Sequence, residues 1–475
     1  MFIKKGVRFL DKKISIIDEN KTPLSIIITL ALPILLENIL MSLVNAVDTA
    51  MVGSLGATAT AGVSINQAPM MLINGVVMSF GMGFTILIAR NVGAENNERA
   101  KHLIRQAIIT VVALGTPLAV LFYALAEKIP MWMGGEAEIL QAAATYNRII
   151  ATCMMFRSLM MVLTAIYRGY GDSRTPLIMN TFINALNVVG NYILIFETHN
   201  VNIFGNEITV FGAGLGVAGA AISTAASTIL GAFILLALLF IRKTPMQISL
   251  KDSFAPDFKE LQNVAKISLP AMFERFTMSG ASVIVASTVA SLGTVAIASN
   301  SLAGTAESIS FMPGFAFGMA ITTLVGQSLG AGKEELAEEF VSLTKKLGAA
   351  VMFITGLGLF VFSAQIIGIF TPDERVIQLG SNALKILAVI QVPQVLATIY
   401  SGALRGAGDT KGTFIITLIS MWGVRILGSI ITVRVLHFGL LAVLVSMCTD
   451  NVVRFVLFHF RYKKGKWKTT LRGGN

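Results

Sequence analysis

The chain has 475 residues, of which 54% are hydrophobic and 13% charged, where a soluble protein carries about 25% charged residues. Mean hydropathy is +0.74. These values exclude a soluble globular enzyme and a disordered tail protein. The 37 Lys and Arg outnumber 26 Asp and Glu, for a net charge of +11. The charges lie between long apolar runs and not on a soluble basic face, which excludes a nucleic-acid binder. The composition is that of a polytopic membrane protein.

A spanning helix needs about 20 apolar residues, and the sequence predicts twelve. They cover 24–52, 61–90, 103–126, 140–168, 175–197, 213–241, 262–292, 294–327, 340–363, 376–404, 412–435 and 438–460. The basic stretch 1–23 is not read as a cleavable signal, because six lysines and arginines interrupt it and no small-residue cleavage site follows a short apolar core. Sorting the basic residues places 28 on the side of the termini, three opposite (Lys128, Arg375, Arg434) and six within spans. The positive-inside rule then predicts cytoplasmic N- and C-termini in the cell membrane. Cys153 and Cys448 sit inside apolar runs, which argues against a disulfide framework. The four histidines are too scattered to hold a metal.

The sequence repeats itself at an offset of 237 residues. Leu32-Pro33 and Glu37 match Leu269-Pro270 and Glu274, and Phe80-Gly81-Met82 matches Phe317-Gly318-Met319. Gly93-Ala94 matches Gly330-Ala331, and Arg168-Gly169-x-Gly171-Asp172 matches Arg405-Gly406-x-Gly408-Asp409. The expected organisation is therefore an all-α integral membrane protein with two pseudo-symmetric six-helix lobes, 24–241 and 262–460. A linker over 242–261 joins them, and a basic C-terminal tail over 461–475 follows. Such repeats place a substrate path between the lobes of a transporter. The stretch near His199–Gly212 is an insertion in the first half. Lys251–Glu260 is the expected place for relative motion.

Several stretches resemble the MATE (multidrug and toxic compound extrusion) family. They are Pro33-x3-Glu37, Val47-Asp48-Thr49-Ala50-Met51-Val52-Gly53, Val92-Gly93-Ala94 and the two Arg-Gly-x-Gly-Asp loops. Glu307-Ser308-x2-Phe311-Met312-Pro313-Gly314 and Trp422-x2-Arg425 join them. The resemblance runs from about residue 25 to 460. It implies two lobes around a central cleft, and export of organic, often cationic, compounds driven by inward H⁺ or Na⁺. No other cofactor is implied.

Ionisable groups inside a membrane are costly and are functional candidates by default. The predicted spans hold five deep acids: Glu37, Asp48, Glu274, Glu307 and Asp450. Glu37 and Glu274 are repeat-related, whereas Asp48 stands opposite Val285, so one lobe alone has that carboxylate. Glu37, Asn45 and Asp48 share a narrow arc of one helix. Asn187 and Asn191 in span 5, Asn66 and Gln67 in span 2, and Ser223 and Thr224 in span 6 lie at similar depth. A carboxylate ringed by amide and hydroxyl oxygens can hold Na⁺ or take a proton. The resemblance implies that Asp48 is the ion-coupling residue, with Asn187 and Thr224 matching family ligands. Asn191 stands where many members carry a second aspartate, and this removes a titratable group.

In the second lobe, Asp450 and Arg454 have ion-pair spacing. Span 10 offers Ser381, Asn382, Gln391 and Gln394 besides Lys385, which argues against the cation site that one family branch builds there. Substrate-cleft candidates are Glu37, Glu274, Glu307, Met41, Met278, Met70 and Phe311, since methionine repacks around varied ligands. Asp172 and Asp409 are read as structural caps. The expected partners are small-molecule substrates and the lipid bilayer, with one chain sufficient for transport. A flippase or exporter of lipid-linked or conjugated metabolites on the same scaffold stays open. No nucleotide-binding segment or catalytic constellation appears.

Overall fold

The computed structural model describes residues 21–203 and 206–471; most of the expected N-terminal tail lies outside them. The first half comprises α1 (Pro23–Gly53), α2 (Ala57–Ser64), α3 (Gln67–Gly93), α4 (Asn97–Ala124), α5 (Lys128–Trp132), α6 (Ala137–Tyr170), α7 (Arg174–Ile195) and α8 (Gly216–Ile241). Between α7 and α8 an antiparallel hairpin forms from β1 (Glu197–Ile203) and β2 (Asn206–Ala213). It accounts for the expected insertion. The second half comprises α9 (Phe258–Ala290), α10 (Thr294–Ser310), α11 (Met312–Gly330), α12 (Glu334–Val361), α13 (Ser363–Phe370) and α14 (Glu374–Gly406). It continues with α15 (Thr410–Ser420), a π-helical turn over Met421–Ile426, α16 (Leu427–Ile430), a second π-helical turn over Ile431–Val435, and α17 (Leu440–Lys463).

Ten of the described helical segments are long and apolar enough to cross a membrane, with α2 and α3 counted together, and the bent pair α10 and α11 makes an eleventh. The long α9 carries Glu274 and Arg275 in its middle, and these dilute its apolar run.

Two expected spans are not single rods. Between α2 and α3, the Asn66 side chain turns back to donate to the Gly62 carbonyl at 3.0 Å. Such side-chain bonds compete with the helix ladder, and Pro69 removes a further donor just beyond. Between α10 and α11 the axis bends by 47° at Phe311, where Pro313 enters the next helix.

The described chain falls into two compact units. One holds 36–88 and 97–264, and the other holds 21–35, 89–96 and 265–471. The chain passes between units within α1, two residues beyond Pro33. In the first unit α6 packs against α4, α8 and α2; in the second, α14 packs against α12, α17, α11 and α10. Each of these central helices ends in an Arg-Gly-x-Gly-Asp loop, with Gly171 (φ 101°) and Gly408 (φ 88°) in the left-handed region. Asp172 then accepts from the Thr175 amide at 3.0 Å and Asp409 from the Gly412 amide at 3.2 Å, satisfying orphan donors of the next helix. Arg242 clamps Asp172 at 2.8 Å, and Arg461 holds Asp409 with two bonds.

Within the second unit, Gly93 and Gly330 make a reciprocal close crossing. A Cβ on Gly93 would lie 1.9 Å from the Gln327 carbonyl oxygen, and one on Gly330 would lie 2.0 Å from that of Arg90. Within the first unit, the segment 252–260 is held against α4. Arg105 pairs with Asp252 at 2.8 Å, His102 Nε2 with Asp257 at 3.1 Å and Arg99 with Glu260 at 2.8 Å. Gln106 adds a bond to the Ala255 carbonyl and one from the Asp257 amide. The C-terminal tail is also structured as far as 471. A 3₁₀ turn at Lys466–Thr469 buries Trp467, stacked on Tyr462 at 4.9 Å.

Candidate functional site

α7 is buried along Asn180, Ile183, Asn187, Asn191 and Ile195, a helical stripe whose polar members need partners. α1 supplies them. Asn180 donates to Glu37, and Asn191 Nδ2 donates to Asp48 Oδ1 at 2.8 Å. Both rungs join residues 143 apart in sequence, so α1 and α7 run parallel in register. The rungs lie 11 residues apart on each helix, about 16 Å.

The Asp48 rung has a second layer. The Asn187 side-chain amide lies 3.2 Å from both Asp48 carboxylate oxygens. With its nitrogen facing Asp48 it donates to both, and its oxygen accepts from Thr224 N and Oγ1 at 3.2 Å. Ser223 Oγ donates to the Asn187 backbone carbonyl at 2.8 Å, fixing α8 against α7. Asp48, Asn187, Asn191, Ser223 and Thr224 are thus one network in the first unit. Asp48 is half-buried.

Other expected members stand apart. The Asn45 side chain is exposed, and its carbonyl accepts from Thr49 Oγ1 at 2.7 Å. Asn66 is buried at the α2–α3 break and accepts from Asn147 at 2.8 Å, while Gln67 is exposed. The helical arc places Asn45 near Asp48 only to within one face; packing turns that part of the face outward.

The expected cleft residues divide. Glu37 is 2% exposed and paired with Arg168 at 2.6 Å. Glu274 is 4% exposed and paired with Arg405 at 2.6 Å, with Thr413 and Thr417 also donating. These two acids brace the loops at the ends of α6 and α14. Phe311 is 2% exposed, its ring edge-on to Phe315 at 5.1 Å. It fills the α10–α11 bend and offers no surface to a ligand. Met70 packs between two buried clusters of the first unit, and Met278 packs against Ala281, Met421 and Ile426. Met41 is exposed.

In the second unit Asp450 is fully buried and takes two arginines. Arg454 donates at 2.7 and 3.0 Å, as the i,i+4 spacing predicts. Arg425, 25 residues earlier in sequence, lies 2.7 Å from the same carboxylate. Spacing could not reveal that partner, which lies on a different helical segment, the π-helical turn over Met421–Ile426. Glu307 is half-buried and accepts from Gln394 Nε2 at 2.9 Å. Among the described residues no group of three or more His, Cys, Asp or Glu assembles to hold a metal. The Asp48 network could offer a cation one carboxylate with neutral oxygens from Asn187 and Thr224.

The MatE family model matches residues 33–193 and again 270–431, each match starting at one of the repeat-related prolines. The chain is 30% identical over 445 residues to the "Probable multidrug resistance protein NorM" of Thermotoga maritima, covering 93% of this chain and 92% of that protein. Among solved structures, it resembles a MATE protein in the bent conformation with a TM-score of 0.85 at 23% identity, covering 98% of this chain and 99% of that one. It also resembles an outward-facing multidrug resistance MATE family transporter of the MOP superfamily, with a TM-score of 0.85 at 22% identity, covering 95% and 98%.

Proposed function

The chain belongs to the MATE family, whose members are transporters and not enzymes, and on that premise we propose that it is an ion-coupled antiporter with Asp48 as the coupling residue. It is a multi-span multidrug efflux transporter acting on small molecules, and it needs no cofactor. In the proposed reading it exports organic cationic or neutral compounds by alternating access in exchange for H⁺ or Na⁺. Twelve spans form two six-helix lobes over 24–241 and 262–460 in the cell membrane, with both termini cytoplasmic, and one chain carries out transport.

One observation carries the reading: Asp48 is a half-buried carboxylate in a helix expected to span the membrane, and the partners that hold it are neutral amides, Asn191 at 2.8 Å and Asn187 at 3.2 Å from both carboxylate oxygens. A carboxylate held by neutral groups and not by a fixed counter-charge can take a proton or hold Na⁺, and a coupling ion needs a site whose interactions differ between its bound and empty states.

Dye efflux from everted vesicles tests it, with wild type and Asp48→Asn compared under an imposed Na⁺ gradient and, separately, a pH gradient. Wild type should respond to at least one gradient and Asp48→Asn to neither. Unchanged gradient-driven efflux in the variant would remove Asp48 from the mechanism, and ATP-stimulated efflux without a gradient would sink the antiporter reading.

A further inference from the structure

A cavity of about 530 Å³ lies in the first unit between the end of α8, the connection that leaves it and the first turn of α4. That size is ordinary for a small-molecule site. Ile248 and Leu250 supply apolar wall, and two cations and two acids also line it: Lys101 and Lys251, Glu98 and Asp252. Asp252 is occupied, since it accepts from Arg105 at 2.8 Å and from the Ser249 amide at 2.9 Å. Lys101 reaches Glu98 at 2.9 Å, but this bond takes only Oε1 and leaves 84% of the Glu98 side chain exposed. Lys251 is exposed, and among the described residues no carboxylate pairs with it.

With Arg105 counted, three cations stand against two acids, a surplus of one positive charge. The cavity therefore offers lysine donors to an anionic group and, in the same opening, a carboxylate oxygen to a cationic one. Charge-assisted hydrogen bonds of this kind are the strong ones. The chain around it is apolar and open. Ile241 at the end of α8 is 73% exposed, Leu250 is 82% exposed and Phe258 at the start of α9 is 79% exposed. α8 is long and apolar enough to cross a membrane. Large apolar side chains left open beside the end of such a helix match the boundary between headgroups and acyl chains.

We propose that this cavity binds the headgroup of a phospholipid that carries a primary ammonium beside its phosphodiester, as phosphatidylethanolamine does. Lys101 and Lys251 hold the phosphodiester, Glu98 Oε2 accepts from the ammonium, and the open apolar side chains of Leu250 and Ile241 meet the acyl chains. The bound lipid links α4 to the connection between the two halves. It thereby adds to the ion pairs that hold residues 252–260. The inference does not depend on which ion or cargo the protein moves.

Binding of dihexanoyl phospholipids, below their micellar concentration, to the delipidated full-length protein in detergent tests it. The ethanolamine lipid should bind about tenfold more tightly than the choline lipid, whose quaternary nitrogen donates no hydrogen bond to Glu98. Glu98→Gln should remove that preference. Lys251→Gln should weaken both lipids by a similar factor, about tenfold. Both replaced side chains are exposed, and melting curves without lipid should coincide with wild type. Soluble O-phosphoethanolamine should bind at least about tenfold more weakly than the lipid, because it lacks the acyl chains. Equal binding of the ethanolamine and choline lipids, or tighter binding of the glycerol lipid, would overturn the ammonium assignment. Lipid binding unchanged in Lys251→Gln would remove the cavity from lipid recognition. O-phosphoethanolamine bound as tightly as the lipid would make the ligand a soluble phosphate ester and overturn the lipid assignment.

Discussion

Arg168 Nη2 donates to Glu37 at 2.6 Å, across 131 residues of chain. Arg405 Nη2 donates to Glu274 at the same distance and the same separation in sequence. A second donor reaches each acid from 143 residues away, Asn180 in one case and Thr417 in the other. The repeat therefore preserves a three-dimensional brace, tying the first long helix of each half to the end of its central helix and to the helix that follows.

Breaking one brace should cost stability before transport chemistry. Arg168→Ala leaves Glu37 buried without its counter-charge, a loss of about 3 kcal/mol. Arg405→Ala should cost a similar amount, because Glu274 is equally enclosed. Thermal unfolding in detergent checks both, and a melting temperature unchanged in either would contradict the bracing role.

The Asp48 network predicts a milder, functional loss. Asn191→Leu removes one of the donors to the carboxylate while leaving Asn187 in place. A hydrogen bond to a charged group contributes ~1.5 kcal/mol or more, so ion-driven efflux should fall about tenfold with little change in melting temperature. Asn191→Ser, which keeps a short donor, should retain more activity than the leucine variant. The reverse order would contradict the assignment.

The mooring of 252–260 on α4 should survive mild acid and fail in strong acid. The Glu260 backbone N–H and the His102 ring hold the Asp257 carboxyl below its ordinary value. Asp252 is lowered as well, by the Ser249 backbone N–H and Arg105. A lowered carboxyl contributes its stability above the unfolded pKa, about 3.9, and loses it as pH falls through the folded value. Hydrogen exchange of this segment, corrected for intrinsic rates, should therefore be slow at pH 7 and pH 5 and rise only below about pH 4. Release already at pH 6 would show that these carboxyls do not hold it.

At the glycine crossing, Gly93→Val and Gly330→Val should be comparably harmful. Each added side chain would meet a backbone carbonyl on the opposing helix, which cannot rotate away as a side-chain tip can. Overpacking of this kind costs about 1–3 kcal/mol, read as a lower melting temperature. Two variants differing widely in effect would contradict a reciprocal contact.

Much of the scaffold is legible in the residues. Helical spans follow from apolar runs, and the 237-residue offset predicts matched roles for Glu37 and Glu274. The i,i+4 spacing of Asp450 and Arg454 predicts their ion pair. Two adjacent features are hidden. Arg425 lies on a π-helical turn of the eleventh predicted span and meets Asp450 from another helix, a pairing that sequence spacing does not mark. Asn45 shares an arc with Asp48, but an arc of one helix does not say which part a neighbour covers.

The amino-acid sequence by itself determined that this is a membrane protein of two similar halves, with Asp48 present in one half and replaced by Val285 in the other. Composition, periodicity and repetition are properties of the chain alone, and each needs no knowledge of neighbours. The tertiary structure decided which acids are braced by arginine and which are held by neutral amides. Glu37 and Glu274 meet arginines across more than a hundred residues, while Asp48 meets amides and Glu307 a single glutamine. The charge state available to a carboxylate depends on its partners in space, and only packing brings those partners together.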